Sequence, residues 1–244
     1  MHVVERGQGP TLVLLHSSGV GVVQWAMVQA RLEDRFRTLA VSMTGYAGTA
    51  PGTFEDDIAG VAALLSPEVH VCGHSYGSVV ALHAARRVGC ASLTLFEPVC
   101  FDILRQVQDP VGVEQLTRLE AVPGFWDPAT AGSAEWMRGF TEYWNGDGAW
   151  QTMSKRRQRQ TAGLGPKVFA EVCASWRDET PLAEWAALKP RVAIGEHTTV
   201  AARRVAEVLT EASGQVLHRV PEAGHMFPLT HPDAVEALLS SCLS

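Results

Sequence analysis

The sequence predicts an α/β protein with a mostly parallel central sheet flanked by helices. Short apolar runs of strand length alternate with segments of helix length, as in successive βαβ units. Turn-forming residues such as Gly, Pro and Asp bound these runs. A third observation is a stretch over residues 101–180 that contains no convincing strand. This stretch predicts a helical insertion between two strands of the sheet.

Six apolar runs are predicted to form the strands. The first is continuously apolar and follows the turn signal Gly7-Gln8-Gly9-Pro10, which is typical of a buried strand. The predicted strands are Thr11–Leu15, Thr38–Val41, Val69–Gly73, Ser92–Phe96, Val192–Ile194 and Gln215–Val220. The predicted helices are Phe54–Leu65, Ser78–Arg87, Val200–Leu209 and Pro232–Leu239. Thr53 precedes the first of these helices with Asp56 three residues later, which is an acidic variant of the capping box.

The chain is predicted to form one α/β core domain from residues 1–100 and 181–244, with a helical cap at 101–180. It contains no Gly/Ser-rich linker, internal repeat or low-complexity tract. Aromatic residues concentrate in the insertion, which holds five of the seven tryptophans. Helices that do not pack on a sheet bury aromatic rings against one another. Aromatic rings of a helical insertion above the sheet can also line a pocket.

Composition excludes several classes of function. The net charge of −6 argues against a nucleic-acid partner, because phosphate binding needs a positive face. No apolar run approaches the 18 residues of a membrane helix, and Met1–Arg6 lacks the basic and apolar regions of a signal peptide. The five cysteines show no CxxC spacing, which is typical of reduced thiols. We therefore expect a cytoplasmic protein, monomeric or homodimeric, without a membrane or nucleic-acid partner.

The strongest motif is Gly73-His74-Ser75-Tyr76-Gly77, between a predicted strand and a predicted helix. A serine on this tight turn adopts a strained backbone that exposes its hydroxyl above the sheet, and a Cβ at Gly73 or Gly77 would collide across the turn. The N-terminus of the following helix favours an oxyanion at the same place. The motif predicts Ser75 as a catalytic nucleophile.

With this motif, nearly the whole chain resembles the α/β-hydrolase superfamily. Leu14-Leu15-His16-Ser17-Ser18 lies where that family carries its oxyanion-hole motif, and Gly45-Tyr46-Ala47-Gly48 lies at its next conserved turn. Gly224-His225, with Pro228 and His231-Pro232 after it, matches the segment of the catalytic histidine. The resemblance implies an α/β-hydrolase fold, with the insertion as a cap.

The resemblance implies His225 as the general base, since neutral imidazole can accept the Ser75 proton and return it to the leaving group. His74 is the nearest rival but faces away from Ser75 in an extended strand. Backbone N–H groups of Tyr76 and Ser18 are expected to form the oxyanion hole. Ser17 stands where the family has glycine, so Ser17 is the alternative to Ser18.

The acid of the triad departs from the family pattern. The family places an aspartate after the strand Val192–Ile194, but this chain reads Gly195-Glu196-His197-Thr198. Threonine cannot stabilise an imidazolium by charge. Glu97 is therefore predicted as the acid, because it ends the next strand after the nucleophile and has an extra methylene for reach. Glu196 is the alternative.

Three other patterns allow different chemistry. Gly19-Val20-Gly21 follows a strand but lacks the third glycine and the acidic residue of a dinucleotide site. His70, Cys72 and His74 alternate along one strand without a recognised zinc spacing, so core packing is favoured and no metal is expected. The run Lys155–Arg159 predicts a solvated helix face, with attraction of an acidic or phosphorylated carrier as the alternative.

These residues predict a serine hydrolase that needs no cofactor or metal and cleaves an ester, thioester, lactone or C–C bond through an acyl-enzyme. The substrate is expected to be an apolar or aromatic small molecule. The pocket is expected to be lined by His16, Ser17, Trp126, Trp136, Trp144 and Trp150. A lyase or cyclase on the same fold, or a catalytically silent binding protein, is the alternative.

Overall fold

The computed structural model describes residues 1–127 and 129–242. Its centre is a seven-stranded sheet in the order β1-β3-β2-β4-β5-β6-β7, in which β1 is antiparallel to β3 and every other pairing is parallel. The strands are β1 His2–Arg6, β2 Thr11–Leu15, β3 Arg37–Ser42, β4 His70–His74, β5 Ser92–Phe96, β6 Arg191–Gly195 and β7 Leu217–Val220. The predicted fold class is confirmed, and residues 128, 243 and 244 of the predicted domain ranges lie outside the described part.

Helices cover both faces of the sheet and form most of the insertion. In chain order they are α1 Ala26–Leu32, α2 Phe54–Ala62, α3 Tyr76–Val88, α4 Asp102–Gln106, α5 Pro110–Glu120, α6 Ala134–Asn145, α7 Ala149–Thr152, α8 Lys155–Gly163, α9 Gly165–Trp176, α10 Leu182–Ala187, α11 Val200–Ser213, α12 Phe227–Thr230 and α13 Pro232–Cys242. The predicted capping box at the start of α2 is present, because Thr53 and Asp56 exchange side-chain-to-backbone hydrogen bonds. Within the described residues, no helix combines the length and apolar character needed to span a bilayer.

Strand β1 and helix α1 were not predicted, and neither were the short helices α10 and α12. Strand β1 has the sequence His-Val-Val-Glu-Arg, which shows neither the alternating pattern nor the continuous apolar run of a typical strand. It lies at the edge of the sheet and pairs on one side only, so it needs fewer apolar residues. Helix α1 is only seven residues long and follows a short 3-10 turn, so its apolar stripe is too short for a clear helical period. The other strands agree with the predictions to within two residues at each end.

Two apolar clusters lie on opposite faces of the sheet. The larger one packs α2, α3 and α11 against the sheet through residues such as Val79, Leu95 and Val205. The smaller one is built around Trp25, Phe96 and Phe227. The first part of the predicted insertion also contributes to the larger cluster, since Ile103, Leu104 and Leu116 are buried within it. A third cluster, around Trp136, Met137 and Val168, lies within the insertion itself. The cap boundaries stay a prediction.

The thiols form no cross-link among the described residues. Cys72, Cys90, Cys100 and Cys173 are not disulfide-bonded, and Cys72 and Cys100 are buried in the core. The side chain of Cys242 lies outside what the structure describes.

Candidate active site

Ser75 lies on a sharp turn between β4 and α3. Its backbone has φ 55° and ψ −120°, a combination that a residue with a side chain rarely adopts. The turn is held in place because the Ser75 N–H donates to the carbonyl of Phe96 at 2.9 Å. The N-terminus of α3 begins at the next residue, so its unpaired N–H groups and its dipole point at the Ser75 position.

The two glycines of the motif allow the turn to lie against β2. A Cβ on Gly73 would lie 2.2 Å from the carbonyl oxygen of Gly77. A Cβ on Gly77 would lie 2.6 Å from the carbonyl oxygen of Leu15 and 2.7 Å from that of His16. These distances are far below van der Waals contact and involve backbone atoms that cannot rotate away. Glycine is therefore required at both positions by close backbone approach.

His225 forms a buried pair with Glu97. The His225 Nδ1 lies 3.1 Å from Glu97 Oε2, and both side chains are almost fully excluded from solvent. Glu97 follows β5 and has φ 52°, so the strand end is bent to aim its carboxylate toward His225. The carboxylate accepts a further hydrogen bond from the N–H of Gly195 at 2.6 Å and one from the Thr198 hydroxyl. Thr198, which stands where the family has its acid, thus binds the acid that comes from another strand.

Glu196, the alternative acid, is exposed and does not contact His225. Its Oε2 accepts a hydrogen bond from the Glu222 N–H at 3.1 Å. With His197 and Glu222 it forms a cluster whose potential ligand atoms lie within 4.8 Å of one another, so these three residues could hold a cation at the surface. Exposed acidic groups of this kind are common without an ion.

His74 and His16 support the site from beneath. The Nε2 of His74 lies 2.9 Å from the carbonyl oxygen of His225, and burial holds the pKa of His74 well below its usual value. The neutral ring therefore donates its proton to the backbone of His225. Burial likewise lowers the pKa of His16 to about 4. Its Nδ1 donates to the carbonyl of Ser17 at 2.8 Å, while its Nε2 accepts from the N–H of Met43 at 3.1 Å.

The loop after β2 places Ser18 in the lining of both cavities that contain Ser75. The neighbouring amides are engaged, because the Ser17 N–H donates to Gln24 Oε1 at 3.1 Å and the Gly19 N–H donates to the Tyr46 hydroxyl at 2.8 Å. Within residues 1–127 and 129–242, no acceptor is found for the Ser18 N–H. Of the two alternatives, Ser18 is thus the one with an available donor.

Two cavities meet at Ser75. The first, which we call the apolar cavity, has a volume of about 140 Å³, and the second has about 210 Å³. Both are lined by Ser18, Ser75, Phe140 and Trp144. The apolar cavity is otherwise lined by Tyr76, Val99, Phe101, Leu119, Val122, Phe125, Gly139, Tyr143, Glu171, Val172, Ser175 and Trp176. The second cavity contains His225, Ser17 and Arg157 of the basic run in α8.

The predicted pocket residues separate into two groups. Ser17 and Trp144 line the cavities at Ser75, and the Trp144 ring stacks on the His225 imidazole with centroids 3.8 Å apart. His16 is buried beneath the loop instead. Trp126 donates from Nε1 to the Leu119 carbonyl, Trp136 donates to the Phe125 carbonyl, and Trp150 packs on the third cluster. Apolar packing inside the insertion accounts for these three tryptophans, as amphipathic helices without a sheet require.

Sequence reasoning did not single out Glu171, Trp176 or Phe140 as pocket residues. Trp176 and Phe140 are among the many aromatic residues of the insertion, so their residue type indicated that they could line a pocket. The sequence did not indicate which of the aromatic rings would face it. Glu171 lies in the segment Ala170-Glu171-Val172 of α9, and a single glutamate in a helix is normally solvated. No local pattern distinguishes it.

The two histidines of the His70, Cys72 and His74 pattern both contact other groups of the protein. His70 Nδ1 lies 2.8 Å from the Ser92 hydroxyl, and both ring nitrogens of His74 contact Gln24 or the His225 carbonyl. The loop that contains Gly19 and Gly21 leads into the 3-10 turn at Val22–Trp25, and its residues Ser18 and Gly19 line the second cavity with Ser75.

Comparison with known proteins matches residues 12–238 to the model of the alpha/beta hydrolase family. The chain is similar to pimeloyl-(acyl-carrier protein) methyl ester esterase of Vibrio campbellii, with 38% identity over 89 residues covering 35% of each chain. It is also similar to protein phosphatase methylesterase 1 of Mus musculus, with 28% identity over 42% of this chain and 32% of that protein. The chain spans about a third of the length of these curated relatives.

Solved structures resemble almost the full chain. An enol-lactonase from Burkholderia xenovorans LB400 superposes with a TM-score of 0.73 and 18% identity, covering 99% of this chain and 95% of that one. A hydrolase from Pseudomonas aeruginosa superposes with a TM-score of 0.70 and 20% identity, covering 99% and 93%. At this identity the likeness shows the fold.

We expect Gly77→Ala to prevent accumulation of the folded protein or to destabilise it by at least about 3 kcal/mol, because the new Cβ overlaps the Leu15 and His16 carbonyls. Urea unfolding followed by circular dichroism measures the change. Gly163→Ala is the matched control, since no atom lies within 4 Å of its added Cβ, and its stability should equal or exceed that of the wild type. Equal stability of both variants would contradict the required contact with β2.

Proposed function

This chain belongs to the alpha/beta hydrolase family, and we propose that it is a serine hydrolase that cleaves an ester of a largely apolar acyl group through an acyl-enzyme. One observation carries the proposal. Ser75, on its strained turn, and His225, paired with the buried Glu97, line the same cavity. A nucleophile, a base and an orienting carboxylate in one solvent-excluded site are the components of acyl transfer.

The proposed reaction begins with proton transfer from Ser75 Oγ to His225 Nε2 as Oγ attacks the substrate carbonyl carbon. The N–H groups of Ser18 and Tyr76 donate to the oxyanion that forms. His225, now an imidazolium, is stabilised by Glu97 and gives its Nε2 proton to the departing alkoxide, which leaves as an alcohol. Water then attacks the acyl-enzyme, passing one proton to His225 and restoring the Ser75 hydroxyl as the acid is released.

The supporting groups explain why Glu97 can perform the role of the acid from an unusual strand. Two hydrogen bonds, from the Gly195 N–H and the Thr198 hydroxyl, hold the carboxylate while leaving Oε2 in contact with His225 Nδ1. That contact selects the tautomer with its proton on Nδ1, so Nε2 is free to act as the base. Thr198, which cannot itself act as the acid, thus has a place in the proposed hydrolytic site.

We further propose that the insertion acts as a cap and that the apolar cavity binds the acyl group. Phe140 and Trp144 of α6 border both cavities, and the walls of the apolar cavity are mostly aliphatic and aromatic. The esterase relatives act on methyl esters by name, and a small alcohol leaving group would require little space in the second cavity. The second cavity is therefore proposed as the route for alcohol and water.

We expect a fluorophosphonate probe to label the protein stoichiometrically, because an activated serine attacks phosphorus as it attacks a carbonyl. Intact-mass spectrometry measures labelling. Ser75→Ala should abolish it, whereas Ser241→Ala, which removes an exposed hydroxyl, should leave it unchanged. A folded wild type that does not react would favour a binding protein. Labelling that persists in Ser75→Ala would place the nucleophile elsewhere.

Glu97→Gln is expected to reduce kcat on p-nitrophenyl butanoate by on the order of 10³-fold, because a neutral amide cannot stabilise the imidazolium or enforce its tautomer. Steady-state kinetics of purified variants measure the loss. Glu196→Gln carries the same chemical change on the exposed neighbour and should keep nearly the wild-type kcat. If both variants retain wild-type rates, the assignment of Glu97 is wrong.

We expect kcat/KM for p-nitrophenyl esters to rise from acetate to hexanoate by at least about tenfold, since each buried methylene contributes about 0.8 kcal/mol. Val172→Trp fills part of the apolar cavity and should flatten this dependence while fluorophosphonate labelling persists. A preference for acetate or sugar esters, or an unchanged dependence in Val172→Trp, would contradict the role of this cavity.

A further inference from the structure

One buried carboxyl group faces the apolar cavity and has no part in the reaction described above. Glu171, on α9, lines this cavity and is only 1% exposed. Among the cavity-lining residues that the structure describes, it is the one carboxylate, and its neighbours in the wall include Val99, Phe101 and Trp176. A charged side chain among apolar walls is costly unless it is paired or has a function.

The two oxygens of Glu171 have different partners. Oε2 accepts a hydrogen bond from the Tyr46 hydroxyl at 2.9 Å. Oε1 is buried and has no hydrogen-bond partner within the described residues, with Lys167 Nζ at 3.4 Å as its nearest ion-pair partner. Lys167 Nζ lies closer to Asp57 Oδ2, at 2.9 Å, so its charge is shared between the two carboxylates. An unsatisfied buried acceptor beside an open cavity is a place where a ligand gains binding energy.

Burial and the surrounding groups together bring the pKa of Glu171 close to neutral pH. Burial raises the pKa of Glu171 to about 7, against the opposing effects of Lys167 and of the Ser18 and Tyr46 side chains, while Asp57 raises it further. The groups that face it are thus Lys167 on its own helix, Asp57 on α2, Tyr46 after β3 and Ser18 after β2. Both the carboxylate and the carboxylic acid are populated at pH 7.

The presence of both protonation states of Glu171 restricts which ligand groups can bind it. A hydroxyl group can donate to the carboxylate and accept from the carboxylic acid, so it satisfies Glu171 in both forms. An ammonium group satisfies only the ionised form, and a methylene satisfies neither. The position of Glu171 also restricts the ligand, since Tyr46 joins it to the Gly19 N–H of the loop that presents Ser18 to the reacting carbonyl.

We propose that Glu171 is a specificity residue that binds a hydroxyl group on the acyl part of the substrate, on one of the first carbons beyond the reacting carbonyl. The preferred substrate class is then the ester of a hydroxy acid with an apolar remainder. This inference rests on the proposed function, because it assumes that the acyl group occupies the apolar cavity.

The test compares matched substrates. Hydrolysis of methyl hexanoate, methyl 2-hydroxyhexanoate and methyl 3-hydroxyhexanoate is followed by chromatography of the released acids. The wild type should prefer at least one hydroxy ester by about tenfold or more in kcat/KM, the scale of a hydrogen bond to a charged group. Glu171→Leu should lose this preference. Glu135→Leu, the same change at an exposed glutamate of the insertion, should keep it.

A conservative variant and pH provide a second readout. In the wild type the hydroxy-to-parent ratio should rise between pH 6 and pH 8, because the ionised carboxylate is the stronger acceptor. A pH effect on the chemical step itself is common to both substrates and cancels in the ratio. Glu171→Gln keeps an acceptor for Tyr46, and its ratio should not change with pH. Glu171→Gln therefore tests the inference even if Glu171→Leu does not fold.

Two results would overturn the inference. The first is a wild type that prefers neither hydroxy ester. The second is an equal loss of kcat/KM for all three esters in the Glu171 variants, which would indicate a purely structural role. Fluorophosphonate labelling of Ser75 separates this failure from that of the proposed function: a labelled enzyme without hydroxyl preference overturns only the role of Glu171.

Discussion

The arrangement of the site depends on one close backbone contact, that of Gly77 with the carbonyls of Leu15 and His16. The contact presses the first turn of α3 against the end of β2. It therefore sets the distance between Ser75 on the turn and Ser18 on the loop after β2. Because both groups are carried by backbone in strained or tightly bonded conformations, little reorganisation is needed for the roles proposed for them as nucleophile and N–H donor. The folding energy of the large central sheet offsets the strain at Ser75.

Buried polar groups beneath the site maintain this geometry. His16 and His74 are held neutral by burial, and their ring nitrogens bind backbone atoms of Ser17, Met43 and His225. His225 differs from them because its Nδ1 contacts the carboxylate of Glu97. Three histidines that look alike in sequence thus have different environments. The environment of each imidazole decides whether it supports structure or is suited to carry a proton.

The insertion joins the core at the point where chemistry is proposed. Trp144 reaches from α6 to stack on His225, and Lys167 and Glu171 reach from α9 into a buried network with Asp57 and Tyr46 of the core. Buried charges of this kind contribute little to stability, since desolvation offsets most of their attraction. Their value is geometric. Through Tyr46 they link α9 to the loop after β2, and they place Glu171 in the wall of the apolar cavity.

By itself, the sequence determined the α/β class, six of the seven strands, the nucleophile turn and the position of the histidine segment. Each of these follows from local physics, namely apolar period, turn chemistry and the need for glycine at a close approach. Only the tertiary structure decided that Glu97 rather than Glu196 contacts His225, that Trp144 faces the cavities while Trp126, Trp136 and Trp150 do not, and that Glu171 lies beside Ser18. These outcomes depend on which strand ends are neighbours and on how each insertion helix is rotated. Both arise from contacts between residues far apart in the chain, which no local pattern records.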